Sequence, residues 1–327
     1  MVTSKQIKAK AYELGITLIG IVPAEALTEE SEKLQEWLRA GFHGKMGYME
    51  RTADKRSDPR KVLPSARSVI STAINYYTPY QHEQSKDFGK ISRYAWGKDY
   101  HEVLANKLRQ LLEWIKETEP QAEGFISVDA GPMMDKAWAV RAGLGWLGKH
   151  TNVISRSHGS WLFLGEIVTN LELEYDTQIE TDHCGKCMKC IEACPTSAIV
   201  APYVLDARKC ISYATIELKD DLLPTEITAA LNGWIFGCDI CQDVCPWNRF
   251  SKPTDEPDFA PRSELLAPVL EDFEKQLCSL SQQEFKHKYR DSPLSRPKLK
   301  GLLRNVRAAK FNLQPQLPAP DASSQAT

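Results

Sequence analysis

Eight of the nine cysteines stand between Cys184 and Cys245, and whatever those thiols hold fixes the path of the chain between them. The first group reads Cys184-x2-Cys187-x2-Cys190-x3-Cys194-Pro195. This is the bacterial ferredoxin run, in which three cysteines hold one [4Fe-4S] cluster and the fourth reaches across to the other. The second group reads Cys210, then Cys238-x2-Cys241-x3-Cys245-Pro246, the same motif with its first cysteine displaced upstream. Pseudo-symmetry then predicts crossed ligation: Cys184, Cys187, Cys190 and Cys245 on one cluster, Cys210, Cys238, Cys241 and Cys194 on the other. With all eight thiolates used, neither cluster keeps an open iron for substrate.

Two four-cysteine zinc sites would use the same eight thiols, but zinc knuckles have little use for a third cysteine two residues on or for the closing proline. Disulfides need an oxidising compartment. The opening MVTSKQIKAKAYELG has neither an apolar h-region nor a small-residue cleavage site, so a cytoplasmic protein is expected. A radical-SAM cluster needs C-x3-C-x2-C, a spacing that is absent. Cys278 lies outside both groups and is expected to be a packed or idle thiol.

At 327 residues the chain has room for about two domains and an appendage. No apolar run approaches the ~20 residues of a membrane span. The net charge of −2 hides an uneven distribution: nine Lys or Arg residues lie between Lys286 and Lys310, against the single acid Asp291. Such a patch suits a polyanion, or else a solvated helix face.

Helical and strand patterns alternate through the first 170 residues. Ser4 is placed to cap a helix carrying Ile7, Ala11 and Leu14, and 17–22 reads as a buried strand. Thr28 opens a second helix that Gly41 stops. Residues 51–60 read as a polar loop, 68–77 as strand, 101–116 as an amphipathic helix, 124–129 as strand, 133–142 as helix and 161–169 as strand. The fold class is α+β, with 1–173 as a layered first domain and 174–250 as a ferredoxin-like domain with short helices at 207–218 and 226–234. A helical basic region is expected at 251–312 and a disordered tail at 313–327. In the C-terminal region Ser295 would cap a helix over 296–309, with Leu299, Leu302, Leu303 and Val306 on one face and Arg296, Lys300, Arg304 and Arg307 on the other.

Gly143-Leu144-Gly145-Trp146-Leu147-Gly148-Lys149 satisfies both G-x-G-x-x-G and G-x4-G-K. Each motif binds phosphate only where a strand feeds the loop and a helix leaves it. Here a helix precedes, a strand-like stretch follows and His150 replaces Ser or Thr, so the glycines are read as a tight helix-to-strand passage near a ligand. Asp135, just after Gly131-Pro132, would by itself be an acid answering a helix dipole.

Taken together, Arg56-x-Asp58-Pro59, Ser92-Arg93-Tyr94-Ala95, Gly97-x-Asp99-Tyr100-His101, Asp135-Lys136 and Ala142 to Lys149 resemble the epoxyqueuosine reductase family. Gly159-Ser160, Gly165-Glu166-Ile167 and both cysteine groups continue the likeness over roughly residues 5 to 310. The resemblance implies a nitroreductase-like domain binding base-off cobalamin, two [4Fe-4S] clusters as electron relay, and reduction of epoxyqueuosine to queuosine at the wobble position of tRNA. It implies Asp135 as proton donor. Arg56, Tyr100, Lys149, Ser160 and Ser212 are expected beside Asp135 as cobalamin contacts, and Lys300, Arg304 and Arg307 as tRNA contacts. The partners implied are tRNA carrying epoxyqueuosine and an external electron donor, with no membrane and a monomeric chain. Longer family members run on into further helices, whereas this chain breaks into Gln and Pro after Asn312, as in a shorter form. The alternatives are a dehalogenase-like corrinoid reductase, a ferredoxin-type electron carrier, or a zinc-dependent RNA-binding protein.

Overall fold

The computed structural model describes residues 2–177 and 180–313. Its first half is built on a four-stranded sheet of β1 (Leu18–Pro23), β2 (Ser68–Asn75), β3 (Gly124–Ser127) and β4 (Leu162–Thr169), in the order β1-β2-β4-β3. Every neighbouring pair is antiparallel. The central strands are buried on both faces, as in a sheet covered on both sides. On one face α1 (Ser4–Glu13) and α2 (Tyr100–Thr118) bury Ile7, Ala11, Leu104, Leu108 and Leu111 against Ile70, Ile74 and Ile167. On the other, α3 (Asp135–Arg141) lays Trp138 and Ala139 on Val69, Ala73 and Val168.

A second core gathers Ile91, Ala95 and Trp96 with residues from 207 to 309. There Trp234–Phe236 pairs in parallel with Lys90–Ile91, and α4 (Lys298–Leu313) buries Leu302, Val306 and Ala309. Between the two cores, Trp146 meets Trp247 edge-on at 4.8 Å and His183 at 4.8 Å, bracing the cysteine loops beside Ile154 and Cys245.

Several local expectations are corrected. Thr3, not Ser4, caps α1, because Gln6 reaches back to complete a capping box. The supposed loop at 51–60 is largely the helix Gly47–Arg56. Its polar sequence concealed it, because only Ala53 and Arg56 are buried there. Helix 207–218 is a 3-10 turn, Ala207–Lys209, followed by Ile211–Ile216, and helix 226–234 is Thr225–Ala230, with Trp234 in a strand. Ser295 lies in the 3-10 turn Pro293–Ser295, and α4 begins at Lys298. Helices Leu270–Cys278 and Gln282–Lys288 went unanticipated. The tail expected at 313–327 lies outside the described residues from 314 onward, Leu313 ending α4.

The glycine motif does make a tight passage. Gly143 takes φ +73°, and a Cβ on Gly145 would stand 2.1 Å from the Ile154 carbonyl oxygen, because Trp146–Leu147 folds back antiparallel on Val153–Ile154. Glycine favours the first condition, and at Gly145 any side chain would force the backbone to move.

Candidate active site

A cavity of about 900 Å³ opens between the first-half sheet and the cysteine loops. That is the upper end of what ordinary ligand pockets offer. Cys194, Cys210, Cys238 and Cys241 line one side. Asp129, Asp135, Lys136, Tyr100 and His101 line another, and Leu162, Phe163, Leu164 and Met46 supply apolar wall.

The cysteines fall electrostatically into two sets. Cys190 is pushed up to about 11 by burial and then by Cys245, Cys184 and Cys187. Cys241 is raised by burial and then by Cys210, Asp239 and Cys194, with Cys190 the weakest influence. Backbone N–H groups of Tyr213 and Ser212 face Cys210, that of Ile240 faces Cys238, and those of Trp247 and Asn248 face Cys245, each opposing the effect of burial. Donors aimed at sulfur are a means of setting a cluster's potential. Among the described residues no three Cys, His, Asp or Glu side chains close on one point as a single ion requires. Cys278 is exposed, not packed, with the Arg307 guanidinium 3.6 Å from its sulfur.

Asp135 is the first residue of α3. A helix N-terminus favours its ionised form, yet burial prevails and its pKa is raised. Its carboxyl faces that of Glu166, and Glu166 rises well above the ordinary value, through burial first and then Asp135. Asp129 behaves oppositely: burial raises it, but hydrogen bonds from His101 and Tyr100 outweigh that and bring it to about 2. The Tyr100 hydroxyl donates to Asp129 at 2.6 Å, and its ring stacks on Phe163 at 4.2 Å. His101 sits between Asp99 at 2.7 Å and Asp129 at 3.4 Å. Burial lowers its pKa, and those two carboxylates more than reverse this, to about 9. Lys136 bonds Asn152 at 3.0 Å, and burial lowers its pKa. The cavity therefore combines a buried acid whose pKa is raised, a paired Asp129 and His101, and a set of thiols.

Of the expected cobalamin contacts, Tyr100, Asp135 and Ser212 line this cavity, and three others lie behind its wall. Arg56 is buried, donating to Thr52 and to the Met133 carbonyl at 2.9 Å, where it props the loop that leads into Asp135. Lys149 is buried as well, its Nζ donating to the carbonyls of Gly185 at 2.6 Å and Cys187 at 3.0 Å. It clamps the first cysteine loop. Ser160 donates to Gln242 at 2.8 Å and receives Asn248 Nδ2 at 3.0 Å, supporting the second group.

The residues of the expected tRNA face divide: Arg304 is turned inward, while Lys300 and Arg307 stay exposed. Arg304 is only 8% exposed and donates to the carbonyls of Leu218, Asp220 and Ala214. Lys300 pairs with Asp221 at 2.6 Å and Arg307 with Glu274 at 2.8 Å, both in exposed positions. Asp129, His101, Lys136 and Glu166 were not singled out as site residues. Glu166 did leave a signal, as the lone acid of an otherwise apolar strand.

Comparisons with known proteins agree with this arrangement. A family model described as "Epoxyqueuosine reductase QueG, DUF1730" matches residues 56–130, and one described as "4Fe-4S double cluster binding domain" matches 183–248. An epoxyqueuosine reductase of Cellulophaga algicola is 48% identical over 93% of this chain and 96% of its own length. One from Synechocystis is 49% identical over 90% of this chain and 100% of its own. A crystal structure of epoxyqueuosine reductase with an epoxyqueuosine-modified tRNA-Tyr stem loop superposes with a TM-score of 0.85 at 32% identity, covering 94% of this chain and 81% of that one.

Proposed function

The chain belongs to the epoxyqueuosine reductase family, and on that premise we propose that it reduces epoxyqueuosine to queuosine at the wobble position of tRNA. The observation that carries the mechanism is that Cys194, Cys210, Cys238 and Cys241 share one cavity with Asp135. Clusters held by the two cysteine sets would supply electrons to this cavity, beside an acid whose pKa burial raises. Cluster ligation is crossed, Cys184, Cys187, Cys190 and Cys245 forming one set and those four the other.

The corrinoid would sit in this cavity, where Leu162, Phe163 and Leu164 supply apolar wall and Tyr100, Ser212 and Asp135 would touch it, with Arg56, Lys149 and Ser160 supporting the wall. When bound, the corrinoid supplies the cobalt chemistry that passes electrons to the epoxide. The protein's own part is acid catalysis and exclusion of water. Each turnover consumes two electrons and two protons, breaks both carbon–oxygen bonds of the epoxide, forms the ring alkene and releases one water. Asp135, kept protonated by burial, donates to the leaving oxygen. Tyr100 and His101 hold Asp129 ionised beside it, which disfavours a second negative charge on Asp135.

The sheet half, residues 1–173, is the nitroreductase-like corrinoid domain, 174–250 the ferredoxin-like domain and 251–312 the helical region that approaches tRNA. On that region Lys300 and Arg307 remain exposed enough to meet phosphates, whereas Arg304 does not. No helix among the described residues is long and apolar enough to cross a membrane. A tRNA substrate places the protein in the cytoplasm, working as a monomer with an external electron donor.

The test is mass spectrometry of nucleosides from epoxyqueuosine-containing tRNA, incubated anaerobically with cluster-loaded protein, cobalamin and a strong reductant. Conversion to queuosine that depends on added cobalamin is the expected result. No conversion by a preparation with both clusters intact refutes the reading.

A further inference from the structure

Glu166 occupies the middle of β4, fully buried. The strand register sets it directly opposite Ser71 of β2 and Ser127 of β3, and alternation turns all three toward α3, on the side of Val168, Ala73 and Trp138. A polar row thus runs across the floor beneath Asp135. Neither Glu166 carboxyl oxygen nor Asp135 Oδ1 meets an N–H or O–H donor, and the hydroxyls of Ser71 and Ser127 are likewise unpartnered. Two buried carboxylates in contact are not both ionised: backbone N–H groups of Asp135 and Asp129 face the Asp135 carboxyl, whereas an ionised Glu166 would carry its desolvation cost with no compensating donor. The contact is satisfied only by a proton lying between them. The charged groups facing the pair are Asp129, from the loop after β3, and Lys136, from α3 itself. The serines on the flanking strands carry no charge.

The reaction proposed above needs two protons, and Asp135 carries one. We propose that Glu166 is a positioning residue that stores the second proton and hands it to Asp135 across their shared hydrogen bond. Asp135 then gives its own proton to the oxygen of the opening epoxide and is refilled from Glu166, so both protons of the departing water are inside the site before tRNA closes it. After release, the pair recovers two protons from solvent through the cavity. The inference rests on the reductase reading for its substrate. The stored proton itself rests on the carboxyl geometry alone.

Glu166→Gln keeps size and hydrogen bonding but cannot store a transferable acid proton. The expected result is a kcat lower by about tenfold or more, with KM for tRNA unchanged. Its alkaline limit should move up, because the acid hydrogen bond by which Glu166 lowers the pKa of Asp135 is replaced by a weaker amide donor. Glu166→Asp should recover part of kcat. Because the glutamine variant risks misfolding, the wild-type protein is also examined by infrared spectroscopy with isotope-labelled glutamate. Glu166 is fully buried and its pKa is raised well above the ordinary value, so a label-sensitive protonated-carboxyl band at neutral pH that Glu166→Gln removes reports on it. Absence of that band, or a folded glutamine variant with unchanged kcat and alkaline limit, overturns the proposal. A band in protein that does not turn over tRNA supports the stored proton and counts against the substrate, so the two failures read differently.

Discussion

Replacing Arg304 by methionine removes a guanidinium that the surrounding backbone is built to hold. Nη1 donates to Leu218 O at 3.0 Å and Asp220 O at 2.7 Å, while Nη2 donates to Ala214 O at 3.0 Å and to Asn305 Oδ1 at 2.8 Å. Asn305 in turn donates to Thr215 O and Ile235 O. The two side chains therefore tie α4 to the 214–220 segment and to the strand Trp234–Phe236. A hydrogen bond from a charged donor contributes about 1.5–3 kcal/mol, and three carbonyls would lose such a donor. Water entering the vacated space recovers part of this, and the methionine stem keeps the apolar packing, leaving a loss of about 4 kcal/mol. At about 2.1 cal/mol/K per residue, that lowers the Tm of a chain of this length by about 6 °C. Thermal unfolding of cluster-loaded protein measures it, with tRNA affinity measured in parallel against Lys300→Glu and Arg307→Glu. Those charge reversals should weaken tRNA binding and leave Tm nearly unmoved. An Arg304→Met protein with unchanged Tm and selectively weakened tRNA binding would refute the structural role and restore the phosphate-facing one.

Asp135→Asn should retain both clusters and cobalamin while single-turnover conversion falls about 10²–10⁴-fold; full activity would remove Asp135 as the acid. Lys149→Met should loosen the first cysteine loop and lower the iron content of purified protein, with cobalamin affinity changed only in proportion; intact iron with selectively lost cobalamin would return Lys149 to the cofactor. His101, raised to about 9 in the folded state, gives wild type a stability advantage over His101→Gln that is complete below pH ~6.5 and disappears as pH rises through 9. Denaturant melts across that window check it, and an advantage that grows with pH would contradict the pairing with Asp99 and Asp129.

The cofactor chemistry was legible in the chain because cluster ligation is a matter of residue type and spacing: Cys184 to Cys245 carry their arrangement in the sequence itself. Strands and amphipathic helices such as Tyr100–Thr118 were legible because burial leaves a hydrophobic period. Asp135 emerged from the order of motifs around it, and the glycines from the turn they must make. What stayed hidden has no such local trace. Arg304 and Lys300 look alike on a helical wheel, yet one is enclosed by carbonyls from residues 214–220 and the other meets solvent, a difference set by a segment more than eighty positions away. Lys149 and Ser160 lie in motifs that border the cavity, and only packing shows that they face the cysteine loops. Glu166 meets Asp135 because strand register and helix placement bring two acids together across thirty residues of sequence. Sequence by itself determined the cysteine pattern, many of the local elements and the class of chemistry, since these depend on residue identity and short spacing. The tertiary structure alone decided which charges are buried, which are paired and which acids have raised pKa values, since desolvation and partner distance exist only once distant segments have packed.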